Sequence, residues 1–198
     1  MFVQVIKARV KDADAVRAAS EKWQNELKRG AKGYLGVTSG ITDDGRSITL
    51  VRFESQAAAQ ANSERPEQGE WFNNELAPHL DDVSFYNCNE VNLFMGGGND
   101  SAGFVQVMVY KPSDLGAVRE MAKMFESVAG ERPDILGGMM AFAEDGTVFD
   151  ANYFTSEAEA RANENKPMSD EMKQAMQRFG EIAGNTEFLD LKDPELRS

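Results

Sequence analysis

Apolar and polar positions alternate over residues 2–10, FVQVIKARV, and again over 104–110, FVQVMVY, which predicts a strand at each place. After each strand the period lengthens. Val16, Ala19, Trp23 and Leu27 fall at helical spacing in a helix expected from about Asp12 to Arg29. Leu115, Val118, Ala122, Phe125 and Val128 do the same in the second half, behind Ser113 or Asp114 as N-cap. Two apolar runs follow in each half, about 34–42 and 46–53, then about 136–143 and 147–154. Asp43-Asp44-Gly45 joins the first pair and Glu144-Asp145-Gly146 the second. This is a hairpin signature, because the glycine takes the positive φ that the turn needs. Alanine-rich helices open at Ser55 and Ser156, break near Pro66 and Pro167, and resume as second helical pieces. Last strands are expected over about 83–94 and 186–191.

The two halves are copies of each other. Phe2-Val3-Gln4-Val5 returns as Phe104-Val105-Gln106-Val107, Leu35-Gly36 as Leu136-Gly137, and Asp44-Gly45 as Asp145-Gly146. Residues 52–66 and 153–167 agree at seven of fifteen positions, where chance gives about one. The offset drops from 102 to 101 between Val10 and Leu35, so one residue separates the copies around the first helix or its following loop. A period near 100 is a domain duplication. The expected organisation is a repeat over 1–95, a Gly-rich linker over 96–102 and a second repeat over 103–198. The order β-α-β-β-α-β, twice, makes the fold class α+β with two ferredoxin-like repeats. Each sheet is antiparallel with helices on one face, and sheet-on-sheet packing within the chain can cover the other.

Composition narrows the partners. With 21 Lys+Arg against 33 Asp+Glu, the net charge of −12 argues against nucleic acid and against an anionic membrane surface. Residues 1–10 lack the basic start and apolar run of a signal peptide, and no stretch reaches the roughly 18–20 apolar residues of a membrane span. Cys88 is the only cysteine, so no internal disulfide forms and no zinc cage is implied. A cytoplasmic protein is expected.

The opening strand MFVQVIKARV, the Lys32-Gly33-Tyr34-Leu35-Gly36-Val37 lead into strand two, the Asp-Gly hairpin, and Arg52-Phe53-Glu54-Ser55 with its Ala-rich helix carry a resemblance. The chain resembles the dimeric α/β-barrel superfamily, in particular its antibiotic-biosynthesis-monooxygenase-like branch, as a tandem duplication. The resemblance implies an α/β-barrel pseudo-dimer built within one chain, with a pocket between sheet and helices in each half. It also implies either cofactor-free oxidation of a small aromatic or polyketide-like compound, haem degradation, or other small-molecule chemistry. The haem-degrading pattern of Asn, Trp and His would fall on Lys7, Phe53 and Asn62, or on Val109, Phe154 and Asn163. An Asn side chain cannot replace the imidazole that ligates haem iron, so this sequence departs from that branch and no cofactor is implied.

His79, the only histidine, is the candidate catalytic base for a phenolic proton, and a surface imidazole at a helix end explains it as well. Trp71 corresponds to Met172 in the other half, so the repeat does not demand its ring and it is a candidate pocket wall. Trp23 corresponds to Phe125 and reads first as core. Gln4 and Gln106 recur on strand one among apolar neighbours; facing inward they need partners, which a ligand could supply, and facing outward they need none. Asn62 and Asn163 recur where the resemblance implies the pocket, or else bond local backbone at a helix end. Tyr34 and Arg52 complete the set that the resemblance implies near the first-half pocket. Met121, Met124, Met139, Met140, Met168, Met172 and Met176 crowd the second half and suit either an adaptable apolar pocket or plain core. The ligand expected is a small apolar or aromatic molecule, and sheet edges leave a homodimer open. Two functions stand beside each other: a cofactor-free monooxygenase, and a non-catalytic small-molecule-binding or interaction protein on the same fold.

Overall fold

A computed structural model of the chain describes residues 1–127 and 132–198, the side chains of 122–127 excepted. Val128 lies outside the described residues, as do the side chains of Ala122, Met124 and Phe125. Among the described residues no helix is long and apolar enough to cross a membrane.

The chain divides into two compact units, one of Met1–Asn89 with Glu195–Ser198 and one of Glu90–Pro194. The sequence repeats and the compact units are thus different partitions, because each unit takes a short closing segment from the end of the other repeat. Both units are α+β with antiparallel sheets, the ferredoxin-like order written twice.

The first unit begins with β1 (Phe2–Val10), followed by α1 (Ala13–Lys22), β2 (Tyr34–Ile41) and β3 (Arg46–Phe53). Next come α2 (Gln56–Ser63), α3 (Pro66–Trp71) and β4 (Leu80–Phe94), whose last five residues belong to the second unit. Asp12 caps α1 by accepting from the amide of Ala15, Ser55 caps α2 through Ala58, and Pro66 opens α3, where its missing N–H costs nothing. Beyond Lys22 the first helix continues as a π turn over Trp23–Leu27, in which Lys28 N donates to Trp23 O five residues back. Strand one to strand two takes one residue more in the first repeat than in the second, and this wider turn accommodates one residue.

β1 pairs antiparallel with β3 from Phe2↔Phe53 to Arg9↔Arg46, and with β4 from Val3↔Cys88 to Val10↔Leu80. Gly45, at φ +79°, closes the β2–β3 hairpin by donating to Thr42 O at 2.9 Å. Alternation then sorts the sheet. Phe2 and Phe53 meet Ala59 of α2 on the helix-covered face, while Val3 and Val5 on the opposite face are fully buried.

The second unit repeats this with β5 (Phe104–Tyr110), α4 (Leu115–Ser127), β6 (Ile135–Ala143), β7 (Val148–Phe154), α5 (Glu157–Glu164), α6 (Asp170–Ala183) and β8 (Thr186–Leu191). Asp114 is the α4 cap, accepting from Ala117 N at 3.0 Å. Phe104, Phe154 and Ala160 form the same triplet as Phe2, Phe53 and Ala59, and Gly146 at φ +86° closes the second hairpin.

A ninth, short strand, β9 (Glu195–Arg197), goes beyond the sequence expectations and pairs with β2. In both units strand two carries a bulge, between Tyr34 and Gly36 and between Ile135 and Gly137. A Cβ on Gly36 would stand 2.1 Å from Arg197 O, and one on Gly137 would stand 2.1 Å from Gly97 O. The recurring Leu-Gly is therefore where a second backbone lies against the edge. Gly36 also holds φ +138°, so Gly36→Ala should lower unfolding free energy by about 1–3 kcal/mol. Gly69→Ala, mid-helix with open space at its Cβ, should be neutral or stabilising by about 0.5–1 kcal/mol. Chemical denaturation of both variants checks the contrast.

Candidate functional site

In the first unit the aromatic side chains gather behind the π turn. The Trp23 ring lies 5.0 Å from Tyr34 and 6.5 Å from Trp71, centroid to centroid, with Leu27 and Ala31 packed against them. Every polar tip in this group has an internal partner. Trp71 Nε1 donates to Ala19 O at 2.9 Å, Trp23 Nε1 to Gln68 Oε1 at 2.6 Å, and Gln24 Nε2 to the Tyr34 hydroxyl at 3.2 Å. Burial pushes the Tyr34 phenol above its ordinary range, the hydrogen bond from Gln24 opposing it. With its hydrogen bonds closed, this cluster packs α1 and α3 against the sheet.

The remaining first-unit candidates do not converge. Gln4 stands on the helix-covered face, opposite Val51, and reaches only Asn87 Oδ1 at 3.5 Å. Arg52, one position along, alternates to the other face, where it donates to Thr38 Oγ1 at 2.9 Å and Arg197 O at 2.8 Å. Asn62 accepts from Arg65 Nη1 at 2.8 Å, and Arg65 also holds Leu27 O, so Asn62 ties α2 to the end of the first helix. His79 ends a 3₁₀ turn just before Leu80, and its carbonyl accepts from Lys11 N at 2.9 Å. Leu80 pairs with Val10, whereas Tyr34 pairs with Phe53 and so lies level with Phe2. Eight residues of strand, about 26 Å, separate those two levels.

The second unit concentrates polar groups on one face. Register sets Asp190 (β8), Gln106 (β5), Asn152 (β7) and Gly138 (β6) side by side in one row. The next row reads Phe188, Met108, Asp150 and Met140, and the third Thr186, Tyr110, Val148 and Phe142. All of these belong to the helix-covered face. Leu115 and Val118 of α4 and Phe179, Ile182 and Ala183 of α6 pack against Tyr110, Met140, Phe142 and Val148. Gln106 Nε2 donates to Asp190 Oδ1 at 2.8 Å, and Arg161 holds the other oxygen of Asp190. The Phe94 ring fills the space that a side chain at Gly138 would take. Asn163 is buried on α5, donating Nδ2 to Glu159 O at 2.9 Å while its Oδ1 has no partner among the described residues.

Two residues that the sequence reading passed over stand out. Asp150 is 3% exposed and Tyr110 2% exposed. Asp150 accepts from Asn152 Nδ2 at 3.0 Å, and the Tyr110 hydroxyl, buried under a T-shaped contact with Phe179, has no partner among the described residues. Burial away from water pushes the Asp150 carboxyl up to about 7, only partly offset by the Asn152 bond. Burial and the nearby Asp150 also drive the Tyr110 phenol well above its ordinary range. The equivalent positions in the first repeat are Thr49 and Ala8. An acid in the middle of VFDANYF with no acidic counterpart was the available signal.

No family model matches the chain, and no curated protein sequence matches it. Solved structures do. A candidate monooxygenase from Lactobacillus acidophilus aligns over 100% of this chain and 99% of its own, at 11% identity and TM-score 0.69. One from Fusobacterium nucleatum aligns over 100% and 94%, at 10% identity and TM-score 0.73. An anthrone oxidase-like protein aligns over 100% and 93%, at 12% identity and TM-score 0.70. The likeness spans both repeats: the chain has the ferredoxin-like fold of the antibiotic-biosynthesis-monooxygenase-like proteins, in tandem.

The buried acid sets a pH dependence. In the unfolded chain the carboxyl ionises near 3.8, whereas the folded protein holds its proton up to about 7. The folded state therefore binds more protons between those values and loses stability as pH rises through them. Asp150→Asn removes the effect. Its melting temperature should exceed the wild type by a margin that opens between pH 3.8 and about 7 and then stays level. Calorimetry across that range checks it; a margin independent of pH would mean that Asp150 ionises normally.

Proposed function

We propose that this chain binds a small aromatic or polyketide-like compound on the helix-covered face of its second unit and oxidises it with molecular oxygen, without a bound cofactor. The observation that carries the reading is the row Asp190–Gln106–Asn152, a line of hydrogen-bonding groups on a face that also holds Met108, Met140, Phe94 and Phe142. A few polar groups converging on an apolar wall suit a flat, mostly hydrocarbon ligand bearing oxygen substituents. The methionines give that wall soft, adjustable surfaces. The fold shared with candidate monooxygenases and an anthrone oxidase-like protein supports the same class by analogy. In such a reaction the substrate gives up a proton, its anion passes electrons to oxygen, one oxygen atom stays in a new carbonyl and the other leaves as water.

A second reading, binding without turnover, is favoured by the first unit, where Trp71, Trp23, Tyr34 and Asn62 close their hydrogen bonds within the protein. Oxygen uptake with 1,8-dihydroxyanthrone separates the two. The expected result is uptake above the uncatalysed rate, with kcat/KM reduced about tenfold in Gln106→Leu through loss of roughly one ligand hydrogen bond. Uptake should persist in His79→Ala, and its loss there would move the proton acceptor into the first unit. Saturable binding with no uptake would favour the binding protein, and neither binding nor uptake would sink both. One ligand per chain in a native mass spectrum is expected, and the same spectrum reads whether the chain is a monomer or a homodimer.

A further inference from the structure

The rows next to that polar line carry a specific chemical assignment, which rests on the reading above. Asp150 and Tyr110 are diagonal neighbours on adjacent antiparallel strands, since Asp150 pairs with Met108 and Tyr110 with Val148. The backbones at such positions lie about 7–8 Å apart, and both side chains project from the same helix-covered face. Both are almost wholly buried, and neither is satisfied as a structural residue would be. The carboxylate has one neutral amide for a partner, and the phenol has none among the described residues. A buried hydroxyl without a partner is destabilising, and an acid in apolar surroundings more so. The first repeat carries Thr49 and Ala8 at these two positions and keeps the same fold, so the fold does not require the pair.

Apart from the polar line beside them, the two residues have mostly apolar neighbours. Met108 and Met140 flank Asp150 across the sheet, and α6 brings Phe179 and Ile182 over Tyr110. From α4, Arg119 lies over the Phe142 ring with its charge paired to Glu90 of β4. On the strands, Asp190 is held by Arg161 and Gln106. At the edge strand β8, Phe188 ends the same row and is 50% exposed.

We infer that Asp150 is the proton acceptor of the second unit and Tyr110 its hydrogen-bond donor, acting together on a phenolic or enolic hydroxyl of a flat aromatic ligand. The ligand's O–H bond breaks, its proton passes to Asp150 Oδ, and the electron pair stays on the ligand oxygen, which accepts a hydrogen bond from the Tyr110 hydroxyl. Asn152 holds the carboxylate toward the ligand and is a positioning residue. The ligand class is a hydroxyaromatic whose anion is spread over fused rings, because only a delocalised anion is tolerated among methionine and phenylalanine side chains.

The test is spectroscopic and needs no turnover. 1,8-Dihydroxyanthrone is titrated into the full-length protein without oxygen, and the long-wavelength band of its anion is followed near neutral pH. Wild type should bind the probe and develop the band. Asp150→Asn should bind within about threefold of wild type yet show no band, and Tyr110→Phe should bind about tenfold more weakly. Thr49→Val, at the equivalent position of the first repeat, should match wild type. A band that survives in Asp150→Asn, or that is absent from wild type with probe bound, overturns the assignment and leaves the binding reading intact. No binding by wild type overturns both. Should Asp150→Asn fail to fold, the wild-type band decides: a pH midpoint below that of free probe supports the pair, and an unchanged midpoint overturns it.

Discussion

Every placement on the helix-covered faces depends on the register between the first and third strands of each repeat. A slip of one residue would turn Gln106 and Asp150 to the opposite face and bring Val105 and Ala151 under the helices. That register is pinned at both ends. At one end Phe104 pairs with Phe154 beneath Ala160, as Phe2 pairs with Phe53 beneath Ala59. At the other, the Asp-Gly hairpins fix strands two and three through a glycine in the left-handed region. Between the pins the side chains are free to differ, because neither end asks anything of them.

The two repeats use that freedom in opposite ways. In the first, Thr49 and Ala8 are small and Trp23, Tyr34 and Trp71 close the space behind the π turn with their polar tips satisfied. In the second, Asp150 and Tyr110 replace the small residues and leave a buried acid and a buried hydroxyl that destabilise the fold. A duplicated domain can carry such a pair in one copy while the other stays well packed. Strain of this kind marks working sites more often than structural ones.

Much of this fold was legible in the residues. Period-two and helical spacing gave most strands and helices within a residue or two, β4 starting three residues earlier than expected, and Ser55, Ser156 and Pro66 set the helix starts where capping physics puts them. β9 was not legible, because three residues carry no period and the strand forms only against the edge at Gly36. The π turn was hidden for a related reason: a one-residue shift in repeat offset says that a residue was added, not that a helix absorbs it. Site residues were harder. Nearness in sequence set His79 beside Trp71, but pairing of Leu80 with Val10 carries its backbone to the far end of β1 from Tyr34. Arg52 adjoins Phe53 in sequence and faces the other way in the sheet. Asp150 escaped notice because a strand of VFDANYF reads as apolar with a polar interruption, and only its neighbours across the sheet reveal that the interruption is buried.

The exchange of closing segments constrains the chain as much as the register does. The first unit needs Glu195–Arg197 against β2, and the second needs residues 90–94 from the end of β4. Separating the repeats at the Gly-rich stretch would therefore strip an edge partner from each unit, although each repeat contains a full β-α-β-β-α-β order. Gly36 and Gly137 are the points at which that dependence is built in, since any side chain there would meet the incoming backbone. Gly97 belongs to the Gly-rich stretch itself, and its carbonyl lies against Gly137. The stretch thus has a packing role as well as a connecting one, and glycine suits both. Each compact unit accordingly draws residues from both repeats, so neither repeat by itself supplies every strand that its unit uses.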